Sequence, residues 1–441
     1  MEKKVEIISQ NLIKPKVTHI ESFNFSALDQ HAPLPHYPIF LHYPHDDQES
    51  TNISTKSQQL KNSLSKILSD FYPFAGRLIN DNTSISCNNH SNDDFGVLFI
   101  EAFAHNYNLQ EDILLSGNNT NTCRHFLPTL DSLLQTHLLI VQVTFFACGG
   151  MILGCWVSHK LSDAASISTF INNWASTARG GAVDAQLLQT PDFKTGVKVF
   201  PPTKQPPPSQ FTNPVVSEQQ LVSKIFLFDG PSIANLKTKA LSKDVPSPTR
   251  VEAVSALIWK CVTVSSKSST KSSSGTSYLS HVVNVRKRLV PSLPSGTIGN
   301  FLGFTLCTKN ERDINELPNL VTIVRKSLLE FPYSNNGTKS LNWDVALDPI
   351  IENWKMIGET LSRSSDIELY QFTSWCGMPF YEANFGWGKP KWMSSMDLDS
   401  KNMIWLVDSI DGGIEAWICL EAKHMLEFEQ NQDLLAFATI K

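Results

Sequence analysis

Residues 138–163 read LLIVQVTFFACGGMILGCWVSHKLSD. The stretch 138–157 is uncharged and 20 residues long, the length of a membrane-spanning helix. Two features favour strands. The stretch is rich in Val, Ile and Phe, and Cys148-Gly149-Gly150 interrupts it with a turn signal. The expected structure is two buried strands joined by a tight turn. The sequence then becomes polar at Ser158-His159-Lys160, and Ser162 and Asp163 are both good helix N-caps. Behind them, Ile167, Phe170, Ile171 and Trp174 fall at i, i+3, i+4 and i+7, one apolar helix face over 164–178. Gly180-Gly181 ends it. A buried hairpin feeding an amphipathic helix puts His159 at a strand exit.

Outward from this core, 58–70 has helical spacing at Leu60, Leu64, Ile67 and Leu68, and it stops before Pro73. Residues 97–102 read as a strand. The segment 188–222 holds seven prolines and few periodic apolar positions, so it reads as an extended linker. Beyond it come a strand at 224–228, a short helix at 233–241 and a strong amphipathic helix at 250–264, signalled by Pro248-Thr249. The serine-rich stretch 265–277 reads as a solvated loop. Strands follow at 280–285 and 301–308, helices at 317–330 and about 344–362, then strands to the end. The expected fold class is α/β in two domains, 1–188 and 223–441, with 189–222 as the crossover between them. The interface between two such halves is the default place for a ligand.

The 441 residues are 41% hydrophobic and 18% charged, as in a folded globular protein rather than a disordered one. With 37 basic and 42 acidic residues the formal charge is −5, which argues against nucleic acid or an anionic membrane as partner. The 8 cysteines form no C-x-x-C pair, so no zinc ribbon is suggested. They read as free, buried thiols in a reducing compartment, and a cytoplasmic location is expected. The first sixteen residues are charged and lack a signal-peptide apolar core. The sequons at Asn24, Asn52, Asn82, Asn89, Asn118 and Asn336 are therefore expected to stay unmodified.

H-x-x-x-D occurs three times, at His42/Asp46, His90/Asp94 and His159/Asp163. The pattern alone says little, and context separates the copies. His42 in HYPHDD and His90 in NNHSNDD read as solvated loop residues. His159 leaves a buried strand just before a helix, so it is held rigidly. It reads either as a satisfied core histidine or as a general base facing a cavity. A second cluster, QFTSWCGMPFYEANFGWGKP at 371–390, gathers four Phe/Tyr and two Trp around Gly386 and Gly388. It reads as an aromatic plug or as part of a site.

Together these segments resemble the BAHD acyltransferase family of plants, and within it the alkaloid acetyltransferases. His159–Asp163 matches the family's HxxxD motif. Asn384-Phe385-Gly386-Trp387-Gly388 matches its DFGWG motif except at the first position. Phe71-Tyr72-Pro73-Phe74-Ala75-Gly76-Arg77, Pro248-Thr249-Arg250-Val251-Glu252, Asn284-Val285-Arg286 and Gly299-Asn300 add to the match, which runs in order along the whole chain.

The resemblance implies a two-domain fold similar to chloramphenicol acetyltransferase. Each domain would be a mixed sheet with flanking helices, with an active-site channel at the interface. The segment 371–396 would cross over to the N-terminal domain. Acyl-CoA, in the first place acetyl-CoA, would be a co-substrate rather than a resident cofactor. No metal is required, the acceptor would be a small-molecule alcohol, and a monomer is expected. His159 would take the acceptor's proton. Thr373 and Trp375 would contact the acceptor and the oxyanion, and Thr249, Arg250 and Asn300 would contact coenzyme A. Asp163 would pair with Arg286 and brace the loop carrying His159. Asn384–Gly388 would be structural, with Asn384 keeping the shape of the usual aspartate without its charge. Acceptor choice would lie in loops around 30–45 and 300–305.

Overall fold

The computed structural model forms the hairpin as read: strands Leu139–Phe146 and Met151–Ser158 pair antiparallel across the Cys148-Gly149-Gly150 turn. The structure describes residues 3–17, 22–45, 52–87, 95–114, 123, 126, 136–180, 188–204, 221–269, 276–309, 316–332, 341–362, 367–396, 398 and 400–441. Among these, no helix is long and apolar enough to cross a membrane.

The chain divides into two compact units. The first is Met1–Ser209 with Ser292–Phe301 and Met378–Met396; the second is Gln210–Pro291 with Leu302–Gly377 and Asp397–Lys441. Among the described residues, the first unit holds a six-stranded mixed sheet in the order Lys4–Ile13, Val97–His105, Leu139–Phe146, Met151–Ser158, His36–Tyr43, Trp392–Ser394. Val97–His105 and Leu139–Phe146 run parallel and the other neighbours antiparallel. Every residue of Leu139–Phe146 is buried. A strand covered on both faces is nearly continuously apolar rather than alternating, here interrupted by Gln142 and Thr144, which explains the membrane-like composition of the stretch.

The helix Ala164–Ala178 has the bounds its periodicity gives. Asp163 caps it, its side chain accepting from the Ser166 N–H. Ile167, Phe170, Ile171 and Trp174 are fully buried, worth about 1.5–3 kcal/mol each by transfer. Phe170 stacks on Phe74 with ring centroids 4.6 Å apart, and Trp174 donates its indole N–H to Ser63 Oγ at 3.0 Å. Ser63 lies on the helix Ile53–Ile67, which starts five residues before the expected 58, at an Asn52 cap.

The second unit, among the described residues, holds a seven-stranded mixed sheet. Its order is Leu302–Lys309, Ser277–Asn284, Glu368–Ser374, Met403–Asp408, Ile414–Glu421, Leu221–Phe228, Thr439–Ile440. The helix Arg250–Ser269 belongs to its core through buried residues such as Trp259, Ala256 and Leu257.

Four readings are corrected. The serine stretch is not a loop from 265: the helix runs on to Ser269, and the next strand begins at Ser277. Ser265 and Ser266 are buried: Ser265 donates back to the Cys261 carbonyl of its own helix, and Ser266 donates to Glu368 Oε2 at 2.5 Å, which hides their polarity. Residues 270–275 lie outside the described residues. The chain end is not all strand. Helices Ala422–Phe428 and Gln432–Leu435 bury Met425, Phe428 and Leu434, segments too short for a clear period. His42 is not a solvated loop residue. It is fully buried in the strand His36–Tyr43, its Nε2 2.7 Å from Ser394 Oγ. That strand also removes 36–43 from the proposed acceptor loop. Asp46, His90 and Asp94 lie outside the described residues, as does 205–220 of the linker. The described part of the linker contains the short helix Thr195–Val199.

Candidate active site

His159 follows the last residue of the strand Met151–Ser158, and its N–H donates to the Pro35 carbonyl at 3.2 Å. The ring packs edge-on to Tyr37, with centroids 5.0 Å apart. Its Nδ1 stands 3.0 Å from Asn300 Oδ1. An amide oxygen only accepts, so Nδ1 carries the proton and donates it. The neutral ring then has its lone pair on Nε2, for which the described residues provide no hydrogen-bond partner. Burial lowers the pKa of His159 below 6.5. Its own backbone carbonyl, the Asp163 charge and Asn300 oppose the shift. The ring is therefore a neutral base at neutral pH.

Asn300 is itself pinned. Its Nδ2 donates to the His159 carbonyl at 2.8 Å and to Asp29 Oδ1 at 3.2 Å, and its N–H donates to Asp29 Oδ1 at 2.6 Å. Gly299 lets the backbone pass there, with φ +141°; a Cβ would stand 3.0 Å from Asp29 Oδ1. Asp163 does not touch the imidazole by hydrogen bond. One carboxylate oxygen caps the helix, and the other accepts from Phe301 N–H at 3.1 Å. Ser166 Oγ donates to the Gly299 carbonyl and accepts from the Gly299 N–H. Asp163 and Ser166 thus fasten 299–301 to the start of the helix, and Asn300 to His159.

The 384–388 segment belongs to the same unit. Asn384 Oδ1 accepts from Gly386 N–H at 2.8 Å, and the Arg179 guanidinium donates to the Asn384 backbone carbonyl. Phe385 is fully buried edge-on to Trp174 and stacked on Trp387, and its carbonyl accepts from Gln59 Nε2 at 2.9 Å. Lys56 Nζ lies over the Trp387 ring at 5.6 Å. Gly386 at φ +123° and Gly388 at φ +92° shape the loop. Asparagine serves here because its carbonyl makes the turn bond that an aspartate oxygen would make.

The remaining site candidates lie in the second unit. Thr249 N–H and Oγ1 donate to Glu252 Oε2, and Glu252 N–H returns a bond to Thr249 Oγ1, a capping box. Arg250 donates to Asp408 Oδ1 and to the Gly412 carbonyl, each at 2.9 Å. Arg286 is buried, with Nη1 donating to Asn284 Oδ1 at 3.3 Å. Thr373 sits on the strand Glu368–Ser374 beside Trp405, partly exposed and on the opposite face from buried Phe372. Trp375 is half-buried just past the strand, edge-on to Trp405 at 4.7 Å.

Within the first unit the structure brings together His159, Asp163 and Asn300. Sequence reasoning missed Asp29, Ser166 and Tyr37. The Ser26-Ala-Leu-Asp29 spacing, a capping-box signal, could have found the first.

Comparison with known proteins returns one family model, described as the Transferase family, over residues 3–435. The chain is 33% identical to the epi-neemfruitin B 7-O-acetyltransferase L7AT of Melia azedarach, covering 98% of each chain. It is 34% identical to the BAHD acyltransferase BIA1 of Arabidopsis thaliana, covering 100% of this chain and 99% of that one. The crystal structure of vinorine synthase superposes with a TM-score of 0.83 at 29% identity, covering 98% of both chains.

Proposed function

The chain belongs to the Transferase family, that of the BAHD acyltransferases, and on that premise we propose that it moves an acetyl group from acetyl-CoA to a hydroxyl of a plant specialised metabolite, an alkaloid first among them. The enzyme class, an acyltransferase, follows from the family. The relative L7AT is named as an O-acetyltransferase, which supports both oxygen as acceptor and acetyl as donor. The observation that carries the reading is the His159 Nδ1–H bond to Asn300, because it leaves Nε2 as the basic nitrogen.

In the proposed step, Nε2 takes the hydroxyl proton as the oxygen attacks the thioester carbonyl. A C–O bond forms and the carbonyl becomes an oxyanion. Collapse breaks the C–S bond, and the thiolate takes the proton back from Nε2. Thr373 and Trp375 are assigned to the acceptor and the oxyanion; losing such a donor costs about 2.7–4 kcal/mol in the barrier. Thr249 and Arg250 are assigned to coenzyme A; Asn300, expected there as well, spends its amide groups on His159 and Asp29 and is assigned to the base instead. Arg250, whose guanidinium is part-exposed while bonded to Asp408, is the stronger of the two. A reducing compartment such as the cytosol is proposed from the eight free cysteines.

The test is thiol release from acetyl-CoA and from malonyl-CoA with a panel of alkaloid and terpenoid alcohols, paired with mass analysis of the products. O-acetylated products from acetyl-CoA support the reading. Acylated amines, or transfer from malonyl-CoA alone, would replace it.

A further inference from the structure

We infer that Asp29 is a positioning residue for the base, acting through Asn300 to fix which nitrogen of His159 carries the proton. The inference rests on the reading of His159 as the base.

Asp29 lies in the short helix Ala27–His31 and is 2% exposed. Its Oδ2 serves the capping box, accepting from Ser26 N–H at 3.0 Å and from Ser26 Oγ at 2.6 Å. A capping box needs only that oxygen. The other, Oδ1, accepts from the backbone N–H and the side-chain Nδ2 of Asn300. It therefore does something that helix capping does not require. Lys160, whose ammonium feels the Asp29 charge, makes no ion pair with its carboxylate. Lys160 Nζ donates instead to the Gln30 carbonyl at 2.8 Å and reaches the Asp29 carbonyl at 3.5 Å. Both the residue after His159 and the amide beside it are thus anchored to 29–30.

The consequence follows from donor and acceptor counting. The Asn300 amide has two N–H groups and one oxygen. As placed, the N–H groups meet two oxygens, the His159 carbonyl and Asp29 Oδ1, and the amide oxygen meets His159 Nδ1–H. A flipped amide would set its oxygen against both of those oxygens. It would also offer N–H to Nδ1, which would draw the imidazole proton to Nε2 and remove the lone pair that the reaction uses. Without Asp29 only the His159 carbonyl opposes the flip. A carboxylate at 29 doubles the preference and makes it one between a charge and an amide dipole. Burial pushes the Asp29 carboxyl up to about 6, while the Ser26 and Asn300 donors hold it down. It is thus mainly ionised at neutral pH.

The experiment uses the full-length enzyme labelled with 15N-histidine, with His159→Gln to assign the resonances. Above pH 7.5 the His159 ring is expected as the Nδ1–H tautomer. In Asp29→Ala and Asn300→Ala it is expected to shift toward Nε2–H, and no further in the double variant. With acetyl-CoA and the best alcohol of the panel, kcat is expected to fall about 10–100-fold in each single variant. KM for acetyl-CoA should stay within about twofold, and the double variant should be no slower than Asn300→Ala, as for groups acting in series. Asp29→Ser stands in if Asp29→Ala does not fold. An Nε2–H tautomer in the wild type overturns the inference. So does an unchanged tautomer in a folded Asp29 variant, or losses that multiply in the double variant. Thiol release persisting in His159→Gln would instead remove the base itself, a separate failure.

Discussion

The chemistry proposed for His159 rests on two neighbours and on burial, with its motif partner Asp163 acting through its charge and through the 299–301 segment it holds. Asn300 sets the tautomer, burial keeps the ring neutral, and the Pro35 carbonyl holds the backbone. The pH dependence follows with a definite sign. A base must be unprotonated to work, and burial holds this one below 6.5. Hence kcat/KM should be level above about pH 7 and fall toward acid with a limb below pH 6.5. A pH–rate profile of the wild type checks this; a limb above 7 would mean that the titrating base is not a buried neutral histidine. Asp163 acts on stability. Asp163→Ala withdraws a helix cap, about 1 kcal/mol, and the acceptor of Phe301 N–H, a further 1–3 kcal/mol or about that. Urea unfolding should show the midpoint lowered, and activity should fall with the misplacement of Asn300. An undiminished midpoint with lost activity would give Asp163 a direct chemical role.

Among the elements, the helix Ala164–Ala178 is the hub. Asp163 and Ser166 at its start hold 299–301, and Trp174 and Arg179 toward its end hold 384–388. Asn384→Asp keeps the oxygen that accepts from Gly386 N–H and adds a charge beside the Arg179 guanidinium. It should stabilise by about 0.5–1 kcal/mol, or roughly 2–4 °C in Tm, and leave kcat unchanged. Calorimetry with a matched rate assay checks this. The hub was legible in the sequence because local signals agree there: an apolar run with a Gly-Gly turn, a 3.6-residue period, and a cap at each end. The Asp29–Asn300 contact was not legible. It joins residues 271 apart in the chain, and no local pattern encodes such a pairing. His42 was misread for a related reason. Its polar neighbours in sequence suggested a loop, while its strand partners Ile152 and Trp392 bury it. The serine run misled because serine can hide its hydroxyl on its own helix.

At the scale of the whole molecule, each unit is built on a large mixed sheet with helices, and the proposed base follows a strand of the six-stranded one. The sheet fixes His159 by placing its strand between Leu139–Phe146 and His36–Tyr43, away from any sheet edge. That rigidity is what a proton acceptor needs, since catalysis falls steeply with misplacement of the reacting atoms. The near-neutral balance of 37 basic and 42 acidic residues suits small-molecule substrates better than polyanions. The central claim is that this one imidazole drives acetyl transfer. It is tested most directly by timing thiol release from acetyl-CoA, with a cognate alcohol, for the wild type and for His159→Gln, both shown to be folded by circular dichroism. A loss of about 10²–10⁴-fold in kcat is expected for His159→Gln. Equal rates in the two proteins would contradict it.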